Sequence, residues 1–266
     1  MKRFSFLLTV LFVCGFQGLF AQGPIDGYMK GKGIVDFAFT YSTESFNTYL
    51  FGKERQSISN RTQTVSLFAT GGLTNSVDFV VSVPYIWTDS LNRNFQDAIV
   101  AIKFLNGESE GAHGKWSLIT ALGLSFPMAN YRTDTERPIG QKAIVFQPRL
   151  LAQYQDQSGL FTMFQSGVDF RISPSDQLSF PFIWRVGYAG RKIYVDAWLD
   201  IFKTLNPGVD TGIQAGSGSD WYKAGGTVYV PFGKSFGLFV SGAVYLGGRN
   251  IGLAQRLNAG FVWRKQ

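Results

Sequence analysis

The feature that most restricts this chain is a two-residue alternation of apolar and less apolar side chains that returns about twelve times along its length. It is plainest in SVDFVVSVPYIW, residues 76–87. Successive side chains on a strand point to opposite sides. Val77, Phe79, Val81, Val83, Tyr85 and Trp87 therefore share one face, and Asp78, Val80, Ser82, Pro84 and Ile86 share the other. A continuous apolar face ending in Tyr and Trp suits a strand whose outside meets lipid and whose aromatic end lies at headgroup level. One such strand fits a soluble sandwich equally well, so the argument rests on recurrence.

Candidate strands fall at 33–42, 61–71, 76–87, 95–105, 115–127, 143–154, 159–171, 177–189, 191–203, 220–231, 235–247 and 255–264. Each is near the length that a tilted membrane strand needs. The alternation is clear in FQDAIVAIKF, KWSLITALGLSF, QLSFPFIWRVGY and KIYVDAWLDIF. No amphipathic helix, heptad, short repeat or linker interrupts the series. The expectation is an all-β fold, a transmembrane antiparallel β-barrel of about twelve strands, in a single domain spanning 22–266.

The connections give an independent reading. Bacterial barrels pair short periplasmic turns with longer outer loops. With a periplasmic N-terminus, the inner turns are GGLTNS, 106–114, DQSG, the Ala189-Gly190 turn and FGKS. The outer loops are 43–60, 88–94, 128–142, SPSD, 204–219 and 248–254. Long connections collect in the outer set, with SPSD and 106–114 as the exceptions. An even strand number returns the C-terminus to the periplasm.

The first 21 residues read as a signal peptide: Lys2 and Arg3 lead, Phe4 to Phe20 is mostly apolar, and Ala21 offers a small residue for cleavage before Gln22. Leu19 is larger than ideal at the minus-three position. Cys14 raises a lipoprotein reading that the bulky Val13 before it disfavours. Removing the segment takes the only cysteine, so the mature chain has neither a disulfide nor a thiol ligand. No later stretch has the ~18 uninterrupted apolar residues of a membrane helix. Mean hydropathy is only +0.03, as alternating barrels give.

Aromatic residues make up 16% of the chain, and it holds 31 glycines but one histidine. The aromatics sort to strand ends. Phe104, Trp116, Tyr154, Tyr188, Phe236 and Trp263 lie near inner ends on the lipid-facing side, and Tyr85, Trp87, Phe126 and Phe170 near outer ends. A soluble sandwich or lipocalin-like core would place aromatics inside without needing that sorting. The formal charge is +7, or +5 once Lys2 and Arg3 are removed. Basic residues are scattered, which gives no nucleic-acid footprint.

The run GGLTNSVDFVVSVPYIW (71–87), followed by FQDAIVAIKF (95–104), resembles the outer-membrane family of MetA-pathway phenol-degradation proteins. Those chains carry a Gly-Leu-Thr step, a charged residue, a hydrophobic strand with Pro-Tyr, and then a strand ending in Lys. The resemblance covers about residues 61–127. It departs at Gln96-Asp97, where the family has Gly-Asp, and at the terminal FVWRKQ, where many barrels end on an aromatic residue. It implies a barrel that passes small molecules, often aromatic or hydrophobic, and it carries over no site residues.

Nothing here reads as an enzyme. The single histidine, His113, lies in SEGAHGK at an expected inner turn and reads as a polar turn residue. A nucleophilic relay needs a base and an orienting partner that the sequence does not supply there. No cluster of His, Cys or carboxylates has metal-ligand spacing, and no cofactor is implied. The lumen is more informative. Arg or Lys at the midplane facing lipid costs ~2–4 kcal/mol, so mid-strand charges should face inward. These are Asp36, Asp78, Asp97, Lys103, Arg149, Asp169, Arg171, Arg185, Asp196, Asp200 and Lys223.

Folding the hairpins brings Arg185 roughly opposite Asp196, sets Arg149 at a similar height two strands away, and puts Lys103 diagonal to Asp78 near the inner mouth. This band reads either as an ion-paired filling or as a solute-screening constriction. Arg149, Arg185, Asp196, Lys103 and Asp78 are the constriction candidates, with Tyr194 and Trp198 as aromatic lumen contacts. Phe68, Phe161, Phe202 and Phe239 also face inward. The expected function is a monomeric outer-membrane channel for passive, selective diffusion of a small solute, with lipid as its surroundings. No plug is expected ahead of strand one. The alternative is a closed structural barrel that acts through loops 43–60, 128–142 and 204–219.

Overall fold

The computed structural model describes residues 25–88, 92–133, 139–206 and 218–265. The expected leader with Cys14, and parts of the expected loops 88–94, 128–142 and 204–219, lie outside the described residues.

Twelve antiparallel strands form the wall: β1 Val35–Phe46, β2 Asn60–Gly72, β3 Val77–Trp87, β4 Asp97–Gly111, β5 Gly114–Pro127, β6 Ile144–Asp156, β7 Leu160–Gly167 continued by Asp169–Ser173, β8 Gln177–Ala189, β9 Tyr194–Thr204, β10 Asp220–Phe232, β11 Phe236–Arg249 and β12 Gln255–Lys265. Each pairs with its chain neighbours. β1 also pairs with β12, from Val35 opposite Lys265 to Ser45 opposite Gln255, which closes the sheet and removes its edges.

Alternation decides which side of the wall each residue faces. On β5, Trp116, Leu118, Leu122 and Leu124 are exposed, whereas Ile119 and Ala121 are buried. The same division runs through Phe146 and Leu150 against Arg149 and Leu151, and through Trp184 and Val186 against Arg185. The outer surface is thus an apolar band far larger than the patches water-soluble monomers expose, as a transmembrane barrel requires. Aromatics cluster on it near both ends: Trp116 and Tyr154 lie 5.0 Å apart near one end, and Tyr85 and Phe95 5.2 Å apart near the other.

Chain entry and exit share one end, here termed the entry end. Its turns are 73–76, 112–113, 157–159, 190–193 and 233–235, and the longer connections lie at the far end. The segment 106–114, expected as a long turn, is instead a hairpin extension of β4 and β5 about the short turn at Ala112 and His113, with a bulge between Leu105 and Gly107. β9 starts at Tyr194 rather than 191, which leaves 190–193 as the turn. At the far end Tyr49–Phe51, Glu54–Gln56 and Ile251–Gly252 pair as a small separate sheet.

Lumen aromatics lie flat over glycines on the adjacent strand. A Cβ on Gly187 would come within 2.9 Å of Phe161, and one on Gly225 within 2.3 Å of Trp198. Inward aromatics therefore need an inward glycine beside them, which gives part of the glycine content a packing reason.

A charged lumen closed by an N-terminal strap

All of the charges expected inside face inward. Asp78, Lys103, Asp36, Asp196, Arg185, Arg171 and Arg149 are buried, and Asp97, Asp169, Asp200 and Lys223 are partly so. The wall brings them together in pairs. In the entry half Arg185 on β8 binds Asp196 on β9, whose Oδ2 also accepts the Tyr194 hydroxyl at 2.6 Å. Their register differs from the sequence expectation: Arg185 lies opposite Trp198, and Asp196 opposite Gly187, so the pair is diagonal. Toward the far end, Arg149 binds Asp169 and donates to the carbonyls of Pro148 (3.1 Å) and Val168 (3.0 Å). The latter lies at the break in β7, so the guanidinium satisfies backbone that the ladder leaves exposed.

Lys223 on β10 holds Asp200 at 2.7 Å and has the rings of Trp198, Trp221 and Tyr245 at 5.6, 5.7 and 5.4 Å. Trp221 stacks on Phe202 at 4.1 Å and donates to Asp200. Trp198 is thus part of a half-buried aromatic and ionic wall. Arg171 reaches Ser175 and Gln141 close to the far mouth. There the segment after β5 bends inward: the Tyr131 hydroxyl donates to Asp97 and accepts the Lys142 amide. Burial, reinforced by Asp97, pushes the Tyr131 hydroxyl well up, so it stays a neutral donor.

The entry half is filled. Ala38, Phe161, Tyr194, Tyr229 and Val262 form one buried cluster, with Phe68 and Phe239 against it. Tyr194, expected as an aromatic lumen contact, is 1% exposed and packed within this cluster. Ile119, Ala121, Leu151 and Met163 form a second cluster, against which Ile25 and Met29 pack. Those two residues belong to a strap ahead of β1, residues 25–33, which runs inside the barrel. Sequence reasoning expected no plug there.

Three buried carboxylates and three buried cations fix the strap. Lys103 Nζ holds Asp26 at 2.7 Å, the Tyr28 carbonyl at 2.6 Å and Asp78 at 3.7 Å. The Lys30 amide donates to Asp78 (2.9 Å), and its ammonium lies 3.1 Å from Asp36. Asp36 in turn accepts two bonds from Arg264 on β12, at 2.6 and 2.7 Å. Asp78 and Lys103 face each other directly in register rather than diagonally. Asp26, Lys30 and Arg264 were missed by sequence reasoning. Arg264 was within reach, since it continues the inward series of Gly260 and Val262 by one step. The strap has no periodicity that would mark it.

No family model matches the chain, and no curated protein matches it. Solved structures do. The COG4313 outer membrane channel from Pseudomonas putida F1 superposes with a TM-score of 0.72 at 12% identity, covering 92% of this chain and 100% of that one. The KdgM porin, solved in complex with disordered oligogalacturonate, gives 0.56 at 9% identity, covering 86% and 98%. The NanC porin gives 0.57 at 9% identity, covering 86% and 100%. What this chain shares with those three proteins is the closed antiparallel barrel of outer-membrane channels and porins.

Proposed function

We propose that this protein is a channel of the bacterial outer membrane that passes a small solute by passive, selective diffusion. The reading includes export by the leader at 1–21, periplasmic termini, and function as a monomer without a cofactor or enzymatic activity. The observation that carries it is the contrast between an apolar outer face and a lumen lined by separate pairs of inward charges, from Arg171 near the far mouth to Lys103 in the entry half. A barrel serving only as an anchor would not need Arg149, Arg185, Asp196, Asp200 and Lys223 on its inner wall. Arg149, Arg185 and Asp196 then screen the solute, and Trp198 offers an aromatic wall beside Lys223. Lys103 and Asp78 belong to the closure at the entry end. The likeness to three channel and porin structures supports the reading, and so does the resemblance of residues 61–127 to the phenol-degradation family, which favours an apolar or ring-shaped solute.

The test is conductance of refolded protein in planar bilayers, with Arg185→Ala and Asp196→Ala beside the wild type. Channels whose ion selectivity shifts in opposite directions in the two variants are expected. A folded barrel that never conducts would refute the reading. It would favour the second one, a closed structural barrel acting through 43–60, 128–142 and 204–219, for which the packed entry half is the specific support.

A further inference from the structure

The strap is not part of the wall. β1 already has β12 on one side and β2 on the other, so the ladder is complete without residues 25–33. Among described residues, strap and wall share backbone bonds only near the strap's end, where Gly33 donates to Gly72. Before that, strap meets wall through bonds that each involve a side chain: Lys103 to Asp26 and to the Tyr28 carbonyl, the Lys30 amide to Asp78, Lys30 to Asp36, and the Lys32 amide to Asn75. The charges divide in a telling way. With the strap gone, Lys103 still has Asp78 and Arg264 still has Asp36, while Asp26 and Lys30 leave together. Detachment therefore strands no buried ion, the step that makes breaking an ion pair costly.

The groups facing the strap come from β1 (Asp36), β3 (Asp78), β4 (Lys103), β6 (Gln153), β8 (Arg185), β9 (Tyr194, Asp196) and β12 (Arg264). A Cβ at Gly27 would fall 2.1 Å from Gln153 Oε1 and 3.1 Å from Met163 Sδ, so a branched side chain there must displace both to stay seated.

From these observations we infer that residues 25–33 are a detachable gate. It closes the entry end in the conformation described and leaves with its two buried charges, Asp26 and Lys30, in balance, opening the lumen without rearrangement of the wall. The inference rests on the channel reading. Its test uses the full chain refolded in bilayers, with Met29→Cys as a reporter for a membrane-impermeant maleimide. Two further variants unseat the strap by different means: Gly27→Val through steric conflict, and Asp26→Asn through loss of charge at nearly constant shape. Heat-dependent gel mobility confirms that each barrel is folded.

Wild type should label slowly and dwell mostly closed. Both variants should label at least about tenfold faster, as expected for a lowered local opening energy, and show longer open times. Faster labelling with unchanged open times would overturn the gate, as would unchanged labelling in both variants. Steady full conductance of the wild type would overturn the gate but leave the channel reading standing. Absence of current in every variant, even with fast labelling, would sink the channel reading and the gate with it.

Discussion

Replacing Arg185 by Met tests whether its contact with Asp196 behaves as a buried ion pair. Arg185 and Asp196 are 6% and 5% exposed, and Asp196 also holds the Tyr194 hydroxyl. Without the guanidinium, the Asp196 carboxylate keeps one neutral donor in a wall packed by Met163, Phe161 and Tyr194. Removing one partner of such a pair costs about 3–5 kcal/mol, most of it the penalty of the stranded charge. Removing both, as in Arg185→Met with Asp196→Leu, returns the site to within about 1 kcal/mol of wild type, because neither charge remains to be desolvated. The two singles together then cost about 6–10 kcal/mol against about 1 kcal/mol for the double, so the coupling energy of the cycle is about 5–9 kcal/mol. Urea unfolding in lipid vesicles, followed by the gel shift between folded and unfolded barrel, measures all four proteins. A double variant as unstable as the sum of the two singles would refute the argument. So would a single variant costing less than about 1 kcal/mol, which would mean that water reaches the pair and screens it.

Two further outcomes follow from the same packing. Gly187→Val drives a side chain into Phe161 and the Val195 carbonyl, the latter 2.3 Å from the new Cβ. It should cost about 1–3 kcal/mol, whereas Gly247→Ala, with nothing within 4 Å, should stay within about 0.5 kcal/mol; the same urea series measures both. For the strap, burial opposes ionisation of Asp26, but Lys103 and Lys30 outweigh it and hold the carboxyl below its usual range. A depressed value means that this contribution is whole above about pH 4, near the ordinary Asp value, and is lost as pH falls below it. Maleimide labelling of Met29→Cys after brief acid exposure should rise only in that acid range, and in Asp26→Asn should be fast already at neutral pH.

The wall was readable because its determinant is local. A strand exposed to lipid on one side and to packed polar groups on the other must alternate, and Val77 to Trp87 or Lys115 to Pro127 can do so only one way. Charge placement followed, since Arg149, Arg185 or Asp196 facing lipid would be prohibitively costly. Register was less legible. Moving Arg185 from beside Asp196 to beside Trp198 changes no side chain's face, so alternation is blind to it. The extension of β4 through Glu108 and Glu110 was hidden because both of its faces meet solvent and carry no pattern. The strap was illegible for a different reason. Ile25, Asp26, Tyr28 and Lys30 bury themselves among distant residues, such as Asp78, 48 positions from Lys30, and Lys103, 77 from Asp26, and nothing in IDGYMKGKG announces that enclosure.

The pairing of β1 with β12 fixes an order of events. Val35 to Ser45 have one partner, β2, close in sequence, while the other, Gln255 to Lys265, lies more than 200 positions further on. Until that pairing forms, the sheet has two open edges free to pair with other strands. Asp36 then links closure to what lies inside. It is clasped by Arg264 from the final strand and by Lys30 from the strap, so the site that receives Lys30 is complete only after the cylinder has shut. Seating of Lys30 thereby reports on closure of the wall.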